Sequence, residues 1–170
     1  VYGQPWGMEV RLPDGFDYRL AGEQERIGAA FWNQQGVRLI NGDPIPDHGR
    51  ASILLPAGAE GVALVVFSNF RVIERYNPAD AYVIAIGHLS DRIDGGRGFQ
   101  ADWPRGDRAL SFAEREELQR LLLAQGHYAE QIDGIVGPIT IAAVRSYQEA
   151  VGVTPDGYAS LRLLERLRRG

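Results

Sequence analysis

The apolar residues of this chain change their period part-way along: short alternating or continuous runs as far as about residue 73, then a recurrence every three to four positions. Met8-Glu9-Val10-Arg11-Leu12 alternates and is stopped by Pro13-Asp14-Gly15, which predicts a strand ending in a turn. Residues 30–33 read as a short helix, followed by a turn at Gln35-Gly36 and a strand over residues 37–40. Asn41-Gly42-Asp43-Pro44 is again turn chemistry, and residues 52–56 form a third strand. Ala63-Leu64-Val65-Val66-Phe67 is continuously apolar, as a central strand buried on both faces must be. Phe70-Arg71-Val72-Ile73 alternates once more and reads as a further strand. Short strands separated by turns predict a small, mainly antiparallel sheet.

Helical spacing follows. Ala79, Tyr82, Val83, Ile86, Leu89 and Ile93 predict an amphipathic helix over residues 78–93, stopped by Gly95. Asn77 suits its N-cap, Pro78 its first position, and Asp80 the positive end of its dipole. Gly, Pro and charged residues without apolar period fill the stretch to about Asp107, which reads as a linker, with Trp103-Pro104 as a docking point for the flanking parts. Ser111-Phe112-Ala113-Glu114 is a capping-box pattern, and Leu118, Leu121 and Leu122 share the face of the helix it opens. Gly126 is its stop. Gly134 and Gly137 are expected to need positive φ or close backbone approach, and Pro138 to start the next helix. Ile141, Val144, Tyr147 and Val151 line that helix, and Gly152 closes it. Asp156-Gly157-Tyr158 then echoes Asp133-Gly134-Ile135, and Leu161, Leu164 and Leu167 form a last stripe. The expectation is an α+β chain: a β part with its returning helix over residues 1–95, a linker over 96–109 and a three-helix bundle over 110–170.

Composition removes several function classes. A net charge of -4 gives no electrostatic footprint for nucleic acid. No apolar stretch reaches the ~20 residues of a membrane span, and no leader pattern opens the sequence. All 18 basic residues are Arg, several of them crowded into the last helix. Without cysteine there are no disulfides or thiolate sites, and His48, His88 and His127 lack ligand spacing, so neither metal nor cofactor is expected. Asp133 and Asp156 read as turn formers, because neither loop has the alternating oxygens and distal Glu of an EF-hand.

From Leu118-Gln119-Arg120-Leu121-Leu122 through Gly126-His127-Tyr128, Asp133-Gly134-Ile135-Val136-Gly137-Pro138, Thr140, Ala143-Val144, Tyr147-Gln148 and Gly152-Val153 to Asp156-Gly157, the chain resembles the three-helix peptidoglycan-binding domain of bacterial cell-wall enzymes. The resemblance implies retention on murein. Tyr128 beside the first loop and Arg145 and Gln148 on the second helix are the candidate contacts, an equally open reading being that Tyr128 and Gln148 only pack and cap the loops. Gly3-Gln4-Pro5-Trp6-Gly7-Met8-Glu9-Val10, Asn69-Phe70-Arg71-Val72-Ile73, Arg75-Tyr76-Asn77, Tyr82 and residues 85–93 are similar to the C-terminal end of the membrane-bound lytic transglycosylase B family.

That second resemblance implies that Tyr76, Asn77 and Tyr82 line a glycan groove, where an Asn amide and Tyr hydroxyls meet N-acetyl sugars. It also implies a glutamate that protonates the bond between N-acetylmuramic acid and N-acetylglucosamine, after which the muramyl C6 hydroxyl closes a 1,6-anhydro ring. Such a Glu needs a water-poor cleft to raise its pKa. In the family it lies on an upstream helical lobe near a Glu-Ser pair. This sequence has no Glu-Ser, and its glutamates, Glu9, Glu23, Glu25, Glu60, Glu74 and Glu114 among them, fall in turns or on polar helical faces. The expectation is therefore a part of a lytic transglycosylase, truncated upstream, without a catalytic residue of its own and with apolar side chains exposed on the helix its lobe would cover. Its partners are glycan strands and stem peptides of the periplasm or cell envelope. The alternative is a non-catalytic peptidoglycan-binding protein.

Overall fold

The computed structural model describes residues 3–22 and 27–170. The chain divides into two compact units, Val1–Pro56 with Glu60–Asp102, and Ala57–Ala59 with Trp103–Gly170. Glu23 and Glu25 lie outside the described residues.

In the first unit the elements run β1 (Gly7–Arg11), β2 (Ile27–Gly28), α1 (Ala29–Gln34), β3 (Arg38–Leu39), β4 (Arg50–Leu54), β5 (Ala63–Val66), α2 (Ser68–Glu74) and α3 (Asp80–Ile93). The strands form an antiparallel sheet in the order β2-β4-β5-β1-β3, with Met8 opposite Val65 and Ile53 also opposite Val65. β5 is central, and both its faces are covered. Ala63 and Val65 join Val10, Trp32, Val37 and Ile53 in one core, while Leu64 and Val66 join Trp6, Phe70, Val83 and Ile84 in another. The unbroken apolar run at β5 thus feeds two cores.

Two expectations are corrected here. Phe70-Arg71-Val72-Ile73 is not a strand but the body of α2. Phe70 fills the second core, Val72 is exposed, and Arg71 pairs with Glu74 at 2.8 Å, one helical turn on. Asn77 is not the N-cap of α3, nor Pro78 its first residue. The Asn77 Oδ1 accepts the Ala79 N–H at 3.0 Å, a local turn that keeps the chain extended to Ala79, which becomes a cap without a side-chain bond. α3 packs through Val83, Ile84 and Gly87. Past α3, the Glu9 carboxylate accepts the Gln100 and Ala101 N–H groups at 2.8 and 2.7 Å, and the Phe99 ring stacks on His88 with centroids 4.1 Å apart.

In the second unit α4 (Phe112–Ala124), α5 (Pro138–Ala150) and α6 (Leu161–Arg169) enclose Leu118, Leu122, Val144, Tyr147, Leu164 and Leu167. Ser111 and Glu114 make the reciprocal capping box, and Pro138 opens α5. Gly134 has φ +67° and lies under Phe112, whose ring would meet an added Cβ at 2.7 Å. Gly137 departs from the expectation. Its φ of -100° is ordinary extended backbone, an added Cβ would meet only Ile135 Cγ2 at 3.9 Å, and it serves as the N-cap of α5.

The Glu114 carboxylate also takes a two-pronged ion pair from Arg108, at 2.6 and 2.7 Å. That pairing first, then the Ser111 N–H bond, holds its pKa down from 4.5 to about 2. Arg168 likewise lowers Glu117, and the Gln119 amide lowers Asp133. A carboxyl whose folded pKa is depressed stabilises above its unfolded value and loses that contribution as pH falls to its folded value. The melting temperature of the second unit should therefore be flat above pH 5 and fall between about pH 4.5 and 2. Glu114→Gln should lower the plateau and shallow the fall. An unchanged acid limb in that variant would remove Glu114 from the account.

Candidate functional site

The α2–α3 connection brings the first set of candidates to one end of α3. Tyr76 is 85% exposed, and Tyr82, one turn into the helix, is 39% exposed. Asn77 lies between them in the chain, half-buried. Its carbonyl oxygen is used by Ala79, and its amide N–H groups have no protein partner among the described residues. From Tyr82 the row continues through Ile86, Leu89 and Ile93, all exposed and spaced four, three and four residues apart, so they share one helical face. The opposite face holds Val83, Ile84 and Gly87 against the sheet. α3 is thus apolar on two sides, and only one of them is buried.

Among the described residues no glutamate is buried. Glu9 sits on β1, not in a turn, and its carboxylate is taken by two backbone N–H groups. Glu74, Glu114, Glu116 and Glu117 each pair with an arginine. A general acid needs a low-dielectric setting to hold its proton at neutral pH, and none of these positions provides one.

The candidates of the second unit separate. Tyr128 is buried. Its hydroxyl donates to the Gln131 carbonyl at 3.0 Å, and its ring lines an open groove of about 480 Å³ between the α4–α5 loop and the start of α5. Arg145 and Gln148 belong to the other loop. The Arg145 side chain lies over Gly157, near enough to meet an added Cβ at 2.9 Å. Gln148, 6% exposed, donates to Asp156 Oδ1 at 2.7 Å and accepts the Gly157 N–H at 2.9 Å.

Gln119 repeats that arrangement in the first loop, donating to Asp133 Oδ1 and accepting the Gly134 N–H, each at 2.8 Å. In both loops the same aspartate oxygen accepts the N–H two residues on, Ile135 or Tyr158. Gln119 was missed as a functional position, although a Gln ahead of each Asp-Gly was the signal. The groove residues Glu130, Ile139 and Ala142 were missed as well, and no motif marks them.

Residues 1–91 match the family model described as “Transglycosylase SLT domain”. The chain belongs to that family. A second model, “Putative peptidoglycan binding domain”, matches residues 113–167, so the SLT unit is coupled to a peptidoglycan-binding one. Two crystal structures of SltB3 from Pseudomonas aeruginosa, one in complex with NAG-anhNAM-pentapeptide and one with NAG-NAM-pentapeptide, each match with 47% identity and a TM-score of 0.92 over 98% of this chain. The SLT chain spans 45% of the length of SltB3. It is also 42% identical over 65 residues to a protein of Synechocystis sp. described as “Putative OxPP cycle protein OpcA”, covering 36% of this chain and 14% of that one. The matches thus pair a transglycosylase SLT domain with a peptidoglycan-binding domain in one chain. No helix among the described residues is long and apolar enough to cross a membrane.

Proposed function

We propose that this chain acts in the bacterial cell envelope, on the periplasmic side. There it holds murein through its second unit and forms one wall of a lytic transglycosylase's glycan cleft with its first. The observation that carries the reading is the exposed row of Tyr82, Ile86, Leu89 and Ile93 beginning beside Tyr76 and Asn77. A contiguous apolar face of that kind is covered in the working protein, here by a helical lobe of the sort that the rest of a chain as long as SltB3 has room for. Tyr76, Asn77 and Tyr82 stand where such a lobe and the sheet unit meet. Tyrosine rings offer flat apolar surface with a hydroxyl donor, and the free Asn77 N–H groups suit an acetamido carbonyl. Proton transfer belongs to a glutamate on the covering lobe, and this chain keeps the sugar in register for it.

The test has two arms. The 170-residue chain should sediment with purified insoluble murein and release no 1,6-anhydro muropeptides from it. Joined to a covering lobe that bears the acid, it should release them, and Asn77→Ala should cut turnover about tenfold. Asn77→Ser keeps a local hydroxyl bond to the Ala79 N–H but offers no amide. Full activity in the Ser variant would reduce Asn77 to a turn former, and a chain that stays in the supernatant would end the murein reading.

A further inference from the structure

We infer that the groove between the α4–α5 loop and the start of α5 is the murein-gripping site of the second unit, and that it takes the stem peptide rather than the glycan. The inference rests on the peptidoglycan-binding reading above and names a different place from Arg145 and Gln148. Its volume of about 480 Å³ falls in the ~300–1,000 Å³ range of small-ligand clefts. The walls are small and apolar, with Ala129 and Ala142 exposed, Ile139 57% exposed and the Tyr128 ring at the back.

Its polar groups are few. The Tyr128 hydroxyl is engaged with Gln131, and the His127 Nδ1 is held by the Ser146 hydroxyl at 2.8 Å. Glu130 stands exposed on the lining and takes part in none of the ion pairs among the described residues. A glycan carries hydroxyls on every edge and needs several donors and acceptors at fixed positions, and this groove has little to give it. An alanine-rich peptide with one side-chain ammonium matches what is there. Methyl groups fill the small apolar walls, and the ammonium meets the unpaired Glu130 carboxylate. Carboxylates of the same peptide stay outward in water.

By contrast, Gln148 has both ends of its amide committed to Asp156 and Gly157, so a ligand reaching it must first break the loop. The ligand-facing surface of this unit is therefore the first loop, and the Gln119 clamp is its frame.

Titration of the full 170-residue chain, followed by amide NMR shifts, tests this with two probes: a free stem pentapeptide carrying a diamino acid, and a peptide-free disaccharide of the two amino sugars. The pentapeptide should give saturable shifts at Ala129, Glu130, Ile139 and Ala142, and the disaccharide none there. Ala142→Trp, which fills an exposed part of the groove without touching the core, should lower retention on insoluble murein at least tenfold. Glu130→Gln should weaken pentapeptide binding about threefold, the scale of one exposed ion pair. Leu123→Gln, an exposed position on α4 that does not line the groove, should bind as the parent does.

If the parent sediments with murein and Ala142→Trp sediments equally, the groove is wrong and the reading of the unit stands. Should the disaccharide alone shift the groove amides, the stem-peptide assignment falls. A parent that does not bind murein at all overturns both.

Discussion

Replacing Gln119 by alanine is expected to unfold the second unit at room temperature while leaving the first intact. Gln119 is 1% exposed, and its amide is the hub of the α4–α5 loop. Its oxygen accepts the Asp133 and Gly134 N–H groups at 3.0 and 2.8 Å. Its two N–H donors are shared among Asp133 Oδ1, the Ile135 carbonyl, the Thr140 hydroxyl and the Tyr128 hydroxyl, at 2.8 to 3.3 Å. Alanine strands the Asp133 and Gly134 N–H groups, at about 1–3 kcal/mol for each buried donor, and takes one partner from Asp133 Oδ1, the Ile135 carbonyl and the Thr140 and Tyr128 hydroxyls, each of which keeps another bond. A domain of this size has only about 3–5 kcal/mol to lose.

Thermal melts of the full chain, read by amide NMR in each unit, should show the second transition gone and the first unmoved. Gln119→Glu should also fail at neutral pH, because a carboxylate then faces Asp133 Oδ1 where an N–H now donates. Gln148→Ala, which strands one backbone donor, should cost less, about 1–3 kcal/mol. A Gln119→Ala variant melting within about 3 °C of the parent would mean that something other than the clamp sets the loop.

Much of this fold was legible because its signals are local. The Ser111–Glu114 box and Pro138 at the head of α5 are bonds or steric facts within a few residues, and the structure contains both. The unbroken apolar run at β5 was informative for a different reason, since only a strand covered on both faces tolerates it. The run at Phe70–Ile73 was misleading because four residues cannot separate a period of two from one of 3.6. Phe70 goes inward to Trp6, Val72 goes outward, and tertiary packing decides between helix and strand.

At Asn77 the right chemistry was read two positions out. An Asn that bonds the N–H two residues on makes a turn, and the helix has to wait for Ala79. The candidate site divides the same way. Tyr76 and Tyr82 carry a family pattern in the chain and stand exposed, whereas the groove at Glu130, Ile139 and Ala142 is assembled from two elements and has no pattern in the chain. A glutamine already committed to a neighbouring carboxylate and a backbone N–H, as Gln148 is, cannot be told from a free one by its letter.

Gly87→Ala is the sharpest test of how the exposed face of α3 is held. Helix propensity alone says the change should stabilise, by up to about 1 kcal/mol in a helix interior. Packing says the opposite. An added Cβ would sit 2.4 Å from Trp6 Cδ2 and 2.6 Å from Cε2, well inside contact distance. The indole has nowhere to go: it is buried, stacked on Phe70 at 6.4 Å, and its Nε1–H donates to Asp91 Oδ2 at 2.7 Å. Either the ring leaves its place or α3 lifts off the sheet, and overpacking of this kind costs about 1–3 kcal/mol. For a unit of this size that corresponds to a melting temperature lower by roughly 5–20 °C. Since Tyr82, Ile86 and Leu89 ride on the same helix, the displacement would carry the proposed cleft wall with it. Trp6→Phe made in the Gly87→Ala background should recover part of the loss, giving a favourable coupling that two independent sites would not show. A Gly87→Ala variant that melts higher than the parent would mean that propensity wins and that the Trp6 contact does not fix α3.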